Sequence, residues 1–413
     1  MGRRTRTLAA ATAVLLVTAC GTDGTGGADG TEEPAPSAPG AGTETPATPD
    51  VTPSPESTGA PTLDPAFAVE PPGRRTGPVT VGDILVSSKA TLDPGVVERI
   101  ADLDGVVAVT TISLSNVPVE NKVYNLAAVD PAQYRLFTVA DSADFQDQWD
   151  RVARGEVAVA SALQERLPLQ PDDFVQLGSG GEDAVHVGAY APQVEQIDMV
   201  VNAKRGEALG MVPDNALVIN TGETAPGTLR EPIEDIVGDA VSVQNLDAVA
   251  RYGLDPDAFL SVQILGTFAD AVGVFNYTPT TGGRIVPDPV WVASHITTEV
   301  VPILGSVTCN KYMMPQLKAA LAEIVTQGLA AEIHPGEYAG CYYPRFIAGS
   351  TKLSNHSFGL AFDINVPGNG RGTVGEIDRG VVAIFKRWGF AWGGDWSYTD
   401  PMHFELDRIV RPG

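Results

Sequence analysis

Hydrophobic residues recur along most of the chain at spacings that distinguish strands from helices. Runs rich in Val, Ile and Thr predict β-strands, because β-branched side chains favour a pleated and half-buried surface. These runs cover residues 84–86, 106–114, 123–129, 174–177, 185–189 and 216–219. Apolar residues spaced three or four apart predict helices, one opening at Asp93-Pro94 and others over 144–154 and 162–167. The mixture indicates an α+β domain over residues 67–245.

The same patterns continue in the C-terminal part of the chain. After a bridging stretch over 246–286, a compact unit is predicted over 287–413. A helix begins at Pro315 with an apolar face, and a second one over 376–388 ends at Gly389. Short strands are predicted over 360–366 and 403–406. The expected fold class is therefore α+β with two domains.

The first 66 residues have a different composition from the rest. Three arginines precede an apolar stretch over 8–19, which is too short for a transmembrane helix and predicts a secretory signal peptide over 1–19. The residues that follow Cys20, up to position 66, contain no Lys, no Arg and no aromatic side chain. Such a segment cannot bury enough apolar surface to order itself. We therefore expect a disordered tether over residues 20–66.

The cysteines indicate an extracytoplasmic location. The signal ends in V-T-A-C at Cys20, which resembles a bacterial lipobox. The resemblance implies cleavage before Cys20 and a diacylglycerol on its thiol, which would anchor the protein to the outer face of the cell membrane; ordinary signal cleavage is the alternative. The remaining pair, Cys309 and Cys341, predicts one disulfide in an oxidising compartment. A cysteine-based zinc site is the weaker alternative, because no C-x-x-C spacing occurs.

The overall charge excludes one class of partner. The chain has 51 acidic and 27 basic side chains and a formal net charge of −24. Nucleic-acid binding needs clustered Lys and Arg to neutralise phosphates, so no nucleic-acid partner is expected. A hydrophobic fraction of 43% is normal for a globular protein. No apolar run reaches the roughly 20 residues that cross a bilayer.

The candidate chemistry lies in the segment S-N-H-S-F-G-L-A-F-D and the later segment D-P-M-H. His356, Asp363 and His403 provide two imidazoles and one carboxylate, which is the ligand composition of a catalytic zinc site. A straight strand would place His356 and Asp363 on opposite faces, so the small residues between them, Gly359 included, must turn the chain. Asp400 lies close enough to His403 to take a proton from a metal-bound water. For any single histidine, a structural role remains the alternative.

Together these segments resemble a known family. The motifs S-x-H-x-x-G-x-A-x-D, W-G-G-D-W and D-x-x-H-F-E resemble the M15 zinc peptidases, over roughly residues 290–413. This family includes D-Ala-D-Ala carboxypeptidases and L-alanyl-D-glutamate endopeptidases, and its fold is a small antiparallel-sheet domain of the Hedgehog/DD-peptidase type. By position, the resemblance implies a Zn²⁺ cofactor, peptidoglycan stem peptides as substrate, and these roles: zinc ligands His356, Asp363 and His403; catalytic carboxylate Asp400; oxyanion-stabilising Arg345; substrate-contacting Ser354.

One departure bears on the bond that is cut. The dipeptidase branch has Glu where this chain has Asp400, whereas the endopeptidase branch has Asp. We therefore expect an L-Ala-D-Glu-type endopeptidase, with a D-Ala-D-Ala carboxypeptidase or a catalytically weak wall-peptide-binding module as alternatives. Trp392 and Asp395 are further candidates for substrate binding, although a core position and a turn position explain them equally well.

The first domain carries no catalytic constellation. Residues 84–191 resemble, at low specificity, the extracytoplasmic core domains of MacB- and FtsX-type membrane proteins, through a helix end E-R-I-A-D-L-D-G-V and the segment R-G-E-V-A-V-A-S. The resemblance implies a binding or docking module, with a membrane-protein partner at residues 67–245. The protein could then act as a scaffold to which the peptidase is secondary.

Overall fold

A computed structural model describes residues 64–178 and 183–412. These residues belong to one compact unit that contains both helices and sheets, which confirms the α+β class. The predicted signal peptide, Cys20 and nearly all of the predicted tether lie outside the described residues. The division into two domains and the Hedgehog-type fold stay predictions. Within the described part of the chain, no helix combines the length and apolar character needed to cross a bilayer.

A large mixed sheet is built from the residues between 84 and 245. The strands are Ile84–Ser87 (β1), Ala108–Val119 (β2), Lys122–Val129 (β3), Val157–Ala160 (β4), Phe174–Gln176 (β5), Ala184–Ala191 (β6), Met199–Asn202 (β7), Ala216–Asn220 (β8) and Ser242–Asn245 (β9). They follow the order β5-β6-β4-β7-β3-β2-β8-β1-β9, and the pairs β3/β7 and β4/β6 are parallel. The strands β1 and β7 have neighbours on both sides and are buried along their whole length, which agrees with their largely apolar sequences.

Short helices cover this sheet. Asp93 caps the first of them by accepting a hydrogen bond from the backbone N–H of Gly95. The prediction of a helix over 162–167 is wrong, because a 3₁₀ turn, Ser161–Leu163, is followed there by a single turn. Leu167 precedes a proline, and a residue in that position disfavours helical backbone angles. The α-helices are Pro94–Ala101 (α1), Pro131–Tyr134 (α2), Ala140–Ala143 (α3), Gln146–Ala153 (α4), Ala203–Ala208 (α5), Arg230–Val237 (α6) and Leu246–Tyr252 (α7).

The predicted bridging stretch is itself structured. After α7 it forms a three-stranded antiparallel sheet of Leu260–Gln263 (β10), Val274–Pro279 (β11) and Ile285–Pro287 (β12), with Ala269–Val272 (α8) between the first two strands. Phe275 on β11 is fully buried, and its ring lies 4.9 Å from that of Phe358. The sheet therefore shares one hydrophobic core with the C-terminal elements.

The C-terminal elements form two small antiparallel sheets and three helices. The elements are Pro289–His295 (α9), Ile296–Val301 (β13), Gly305–Asn310 (β14), Met314–Thr326 (α10), Ala361–Asp363 (β15), Arg379–Arg387 (α11), Phe390–Trp392 (β16) and His403–Leu406 (β17). The sheet that carries the candidate chemistry has the order β15-β17-β16. Helix α11 packs against it through Phe385, whose ring lies 4.7 Å from that of Phe404.

A disulfide joins Cys309 and Cys341, with their Cα atoms 5.5 Å apart, and this pairing is confirmed. Cys309 lies in β14, and Cys341 lies in the irregular segment that precedes the first candidate ligand. Both residues are buried in the C-terminal core. The bridge therefore ties that segment to β14.

The large sheet also reaches the candidate site. In the hairpin between β2 and β3, Glu120 accepts a hydrogen bond through Oε1 from the backbone N–H of Ser397 at 3.1 Å. Asp198, directly before β7, forms an ion pair with Lys352. Asn116 Oδ1 accepts a hydrogen bond from the N–H of Gln263 at 2.7 Å. These contacts join the large sheet to the β10–β12 sheet and to loops of the C-terminal part of the chain.

Candidate metal centre

Three local structures bring the predicted ligands together. His356 lies in a 3₁₀ turn, Asn355–Phe358, which ends at Gly359 in the left-handed conformation with φ +66°. A Cβ at Gly359 would lie 2.8 Å from the backbone nitrogen of Asn310, so only glycine allows this turn. Strand β15 follows, and its last residue, Asp363, lies directly opposite His403 on β17. The turn at Gly359 supplies the change of direction that the sequence required.

The three side chains converge on one point. His356 Nε2 lies 3.2 Å from His403 Nδ1 and 3.3 Å from Asp363 Oδ2. His403 Nδ1 lies 3.0 Å from Asp363 Oδ1. One ligand atom from each residue lies within 4.8 Å of the others, and both histidines are buried. The arrangement can hold one metal ion.

The opposite nitrogen of each imidazole is held by a hydrogen-bond acceptor. His356 Nδ1 lies 2.8 Å from the carbonyl oxygen of Cys341. His403 Nε2 lies 3.0 Å from Oε2 of the buried Glu405. Asn355 donates to the same Glu405 oxygen through Nδ2 at 2.9 Å. Partners of this kind fix ring orientation and tautomer at zinc sites and raise the basicity of the ligand nitrogen.

The electrostatics of the cluster favour charge on its members. Burial opposes ionisation of Asp363, but hydrogen bonds from His356 and His403 outweigh burial and hold its pKa well below the usual range. Burial likewise opposes the charged form of His403, yet its hydrogen bonds to Asp363 and Glu405 raise its pKa to about 10. The surrounding carboxylates therefore favour a positive charge on His403, and a bound cation would supply a positive charge in place of that proton.

The donor set fits zinc. Two imidazole nitrogens and one carboxylate are three ligands of the type that catalytic zinc sites use, with a further position for water or substrate. The rings present His356 Nε2 and His403 Nδ1 to the centre, and each has its other nitrogen hydrogen-bonded. Nearby, Asp400 Oδ1 is buried and has no hydrogen-bond partner among the described residues. A buried carboxylate oxygen of this kind fits a site where a metal ion or a water bound to it would be its partner.

Asp400 is positioned by the W-G-G-D-W turn. Its backbone N–H donates to the carbonyl oxygen of Gly393 at 2.8 Å, and a Cβ on Gly393 would collide with the Asp400 carbonyl oxygen. Trp392 Nε1 donates to the carbonyl oxygen of Pro401 at 2.7 Å. Burial raises the pKa of Asp400, and Arg371, 3.5 Å from Oδ2, acts in the opposite direction. Glycine at 393 therefore permits the approach that places this carboxylate.

A cavity of about 580 Å³ opens beside these groups. Asp400, His403, Arg345 and Ser354 all line it, so the structure brings the predicted catalytic, metal and substrate residues to one place. The lining also includes Asn121 from the β2–β3 hairpin, Arg284 between β11 and β12, Tyr343, and Arg371.

Two predicted substrate residues lie elsewhere. Trp392 is 6% exposed and belongs to the hydrophobic core. Asp395 is exposed and pairs with Lys386. Neither lines the cavity, and their role in substrate binding stays a prediction. Trp396 is closer to the centre, with its ring 5.0 Å from that of His403.

The sequence reasoning missed several residues at the site. Glu405 could have been found, because residues two apart on a strand share a face, and Glu405 follows His403 on β17 at that spacing. Arg284 and Asn121 gave no local signal. Their approach to the cavity depends on strand pairing distant from the motifs, such as the bridge between Arg284 and Arg345.

A protein-family model matches the segment that carries the candidate site. Residues 348–406 match a family model described as D-alanyl-D-alanine carboxypeptidase. The crystal structure of the periplasmic region of MacB from Actinobacillus actinomycetemcomitans is also similar, with 12% identity, a TM-score of 0.23, and coverage of 42% of this chain and 92% of that chain. The resemblance to the M15 peptidases that the C-terminal motifs predicted is confirmed for residues 348–406.

Proposed function

We propose that this protein is a zinc metallopeptidase that hydrolyses peptidoglycan stem peptides, as an L-Ala-D-Glu-type endopeptidase. The observation that carries the proposal is the convergence of His356, Asp363 and His403 on one point beside Asp400. Each ligand comes from a different local structure, and each ring nitrogen that faces away from the centre has an acceptor. Sequence similarity to peptidases over the same segment supports the assignment.

The residues divide the work of hydrolysis between them. Zinc, when bound, supplies a Lewis acid that polarises the scissile carbonyl and acidifies water. The Asp400 carboxylate accepts a proton from the attacking water and later gives it to the leaving amine. The raised pKa of Asp400 suits both steps, since burial makes the carboxyl a stronger base. Arg345 donates to the carbonyl oxygen as its negative charge develops.

Two alternatives compete with endopeptidase activity. The matched family model is described by D-alanyl-D-alanine carboxypeptidase activity, which favours removal of the terminal D-Ala. Aspartate in place of glutamate at position 400 favours the endopeptidase, by resemblance to that branch of the family. A wall-peptide-binding module without turnover is the third reading, and the complete set of ligands and carboxylate argues against it.

The N-terminal sequence supports a proposal for the location of the protein. We propose lipidation at Cys20 and attachment to the outer face of the cell membrane, with residues 67–245 available to a membrane-protein partner. A Cys20→Ala variant should move the protein from the membrane fraction to the medium or the soluble envelope fraction. Retention of the variant in the membrane fraction would contradict the anchor.

Mass spectrometry of muropeptides tests the reaction. Purified muropeptides are incubated with zinc-loaded protein starting at residue 21, alongside a chelator-treated sample and the Asp400→Ala variant. Asp141→Ala is the matched control, because Asp141 is an exposed carboxylate on α3, far from the cavity in the sequence and absent from its lining. A cut after L-Ala establishes the endopeptidase, and loss of terminal D-Ala establishes the carboxypeptidase. No cleavage with zinc demonstrably bound would refute the peptidase proposal.

A further inference from the structure

Two arginines at paired backbone positions line the cavity beside the candidate metal centre. Arg284 and Arg345 are opposite partners in an isolated antiparallel bridge, and both line the cavity. Like charges directly opposite each other destabilise a strand pair. Neither guanidinium has a carboxylate within 4.0 Å among the described residues, although the chain has 51 acidic side chains against 27 basic ones. Two arginines without a carboxylate partner among the described residues therefore line the same cavity, although the chain has an excess of acidic side chains.

The Arg284 guanidinium is held in a fixed position. Its Cζ atom lies 3.9 Å from the centroid of the Tyr343 ring. Its Nε donates to the carbonyl oxygen of Pro344 at 3.2 Å. Its two terminal nitrogens make no hydrogen bond to any residue within the described ranges. A stacked guanidinium with free terminal N–H groups is pre-organised to bind a planar anion.

The third arginine of the cavity is in a different state. Arg371 Nε lies 3.5 Å from Asp400 Oδ2, so its charge is compensated by the catalytic carboxylate. Arg345 is committed to the carbonyl oxygen of the scissile bond in the proposed mechanism. Arg284 is thus the arginine left for another part of the substrate. Arginine binds carboxylates through two parallel N–H···O bonds.

We propose that Arg284 is a specificity-determining residue that binds a free carboxylate of the peptide substrate, next to Arg345. The inference rests on the proposed peptidase function and deepens it by naming an acidic peptide as the substrate class. Arg284 lies outside residues 348–406, the segment that matches the family model. A stem peptide offers two such carboxylates, the α-carboxylate of its D-Glu residue and the carboxylate at its C-terminus.

Steady-state kinetics on three matched peptides distinguishes these sources. The free stem peptide is compared with its D-Glu α-carboxamide and with its C-terminal carboxamide, using zinc-loaded wild-type protein, Arg284→Gln and Arg284→Lys. We expect wild-type kcat/KM to fall about tenfold for the amide at the recognised position, because a charge-assisted pair is lost. In Arg284→Gln, the ratio of kcat/KM for the free peptide to kcat/KM for that amide should fall close to one, because KM for the free peptide rises. Arg284→Lys should retain an intermediate ratio, because it keeps charge without the planar fork.

Two further measurements separate the possible failures. Arg99→Gln, an exposed arginine on α1, is the matched control and should keep the wild-type ratio. Calorimetric binding of the free and amidated peptides to chelator-treated protein tests recognition without turnover. Cleavage of no peptide by the wild-type protein refutes the proposed function, and the binding preference then decides the role of Arg284 by itself. An unchanged preference in Arg284→Gln, or no preference in the wild-type protein, overturns the inference.

Discussion

Replacement of Glu405 by glutamine tests whether the environment of the ligands sets metal affinity. Glu405 touches no ligand atom at the centre, and its Oε2 accepts from His403 Nε2 at 3.0 Å and from Asn355 Nδ2 at 2.9 Å. Glutamine has nearly the same shape but no charge. Its amide oxygen carries no charge and is a weaker acceptor for both the imidazole N–H and the Asn355 amide. His403 then becomes a less basic and less firmly oriented ligand.

The size of the effect follows from the same contacts. Loss of an acceptor that orients a zinc-bound histidine costs about 10- to 100-fold in metal affinity, which corresponds to about 1.4–2.7 kcal/mol. Because Glu405 is buried and its charge holds the pKa of His403 up, the larger half of this range is expected. Peptidase activity at saturating zinc should fall less than activity at limiting zinc.

Zinc affinity is measured by competition with a chromogenic chelator. The matched control is Glu337→Gln, because Glu337 also contacts a histidine, His334, at 2.9 Å, but at an exposed position outside the cavity. The control should leave affinity unchanged. Thermal melting of the chelator-treated proteins establishes that both variants fold. Zinc affinity of Glu405→Gln within twofold of wild type, with the fold intact, would refute the reasoning.

Two other changes probe the supports of the site. Gly393→Ala should lower kcat by tenfold or more and leave zinc affinity intact. The added Cβ displaces Asp400, and a small misplacement of a catalytic group costs about 100-fold in rate. Gly336→Ala, which has open space around its Cβ, is the control for the kcat and zinc-affinity assays. Removal of the Cys309–Cys341 bridge by double alanine substitution should lower the free energy of unfolding by about 3–4 kcal/mol for a loop of this length, measured by urea denaturation. An unchanged kcat in the first case, or an unchanged midpoint in the second, contradicts the respective argument.

The sequence alone was sufficient for features that depend on local spacing. The strands around residues 84–86 and 216–219 were predicted because each is a short apolar run, and the structure buries both inside the large sheet. The grouping of His356, Asp363 and His403 was predicted because residue type and family motif agreed, and the structure brings the three side chains together. Even the turn at Gly359 followed from geometry, since the offset between His356 and Asp363 demanded it.

Features that depend on distant pairing were beyond the sequence. The strands β10 and β11 contain polar residues among their apolar ones. Phe275, which is fully buried, packs against Trp291 and Phe358, and Phe358 lies far along the chain. Residues 246–286 therefore had the pattern of a connecting stretch. Trp392 had two equal interpretations, because an aromatic residue beside a Gly-Gly turn can face either a groove or the core. Its burial comes from packing of α11 against the sheet, which no local pattern specifies.

The candidate site depends on residues well outside the segment that matches the peptidase family. His356 is oriented by the carbonyl oxygen of Cys341, which precedes residues 348–406, and Cys341 is bonded to Cys309. The cavity wall includes Arg284 and, from the β2–β3 hairpin, Asn121. In the proposed function, the matched segment supplies the metal ligands and the carboxylate that transfers the proton, whereas part of the cavity wall is supplied by residues outside that segment. Relatives that share the His-Asp-His motif but differ at Arg284 or Asn121 should then differ in substrate preference more than in metal affinity.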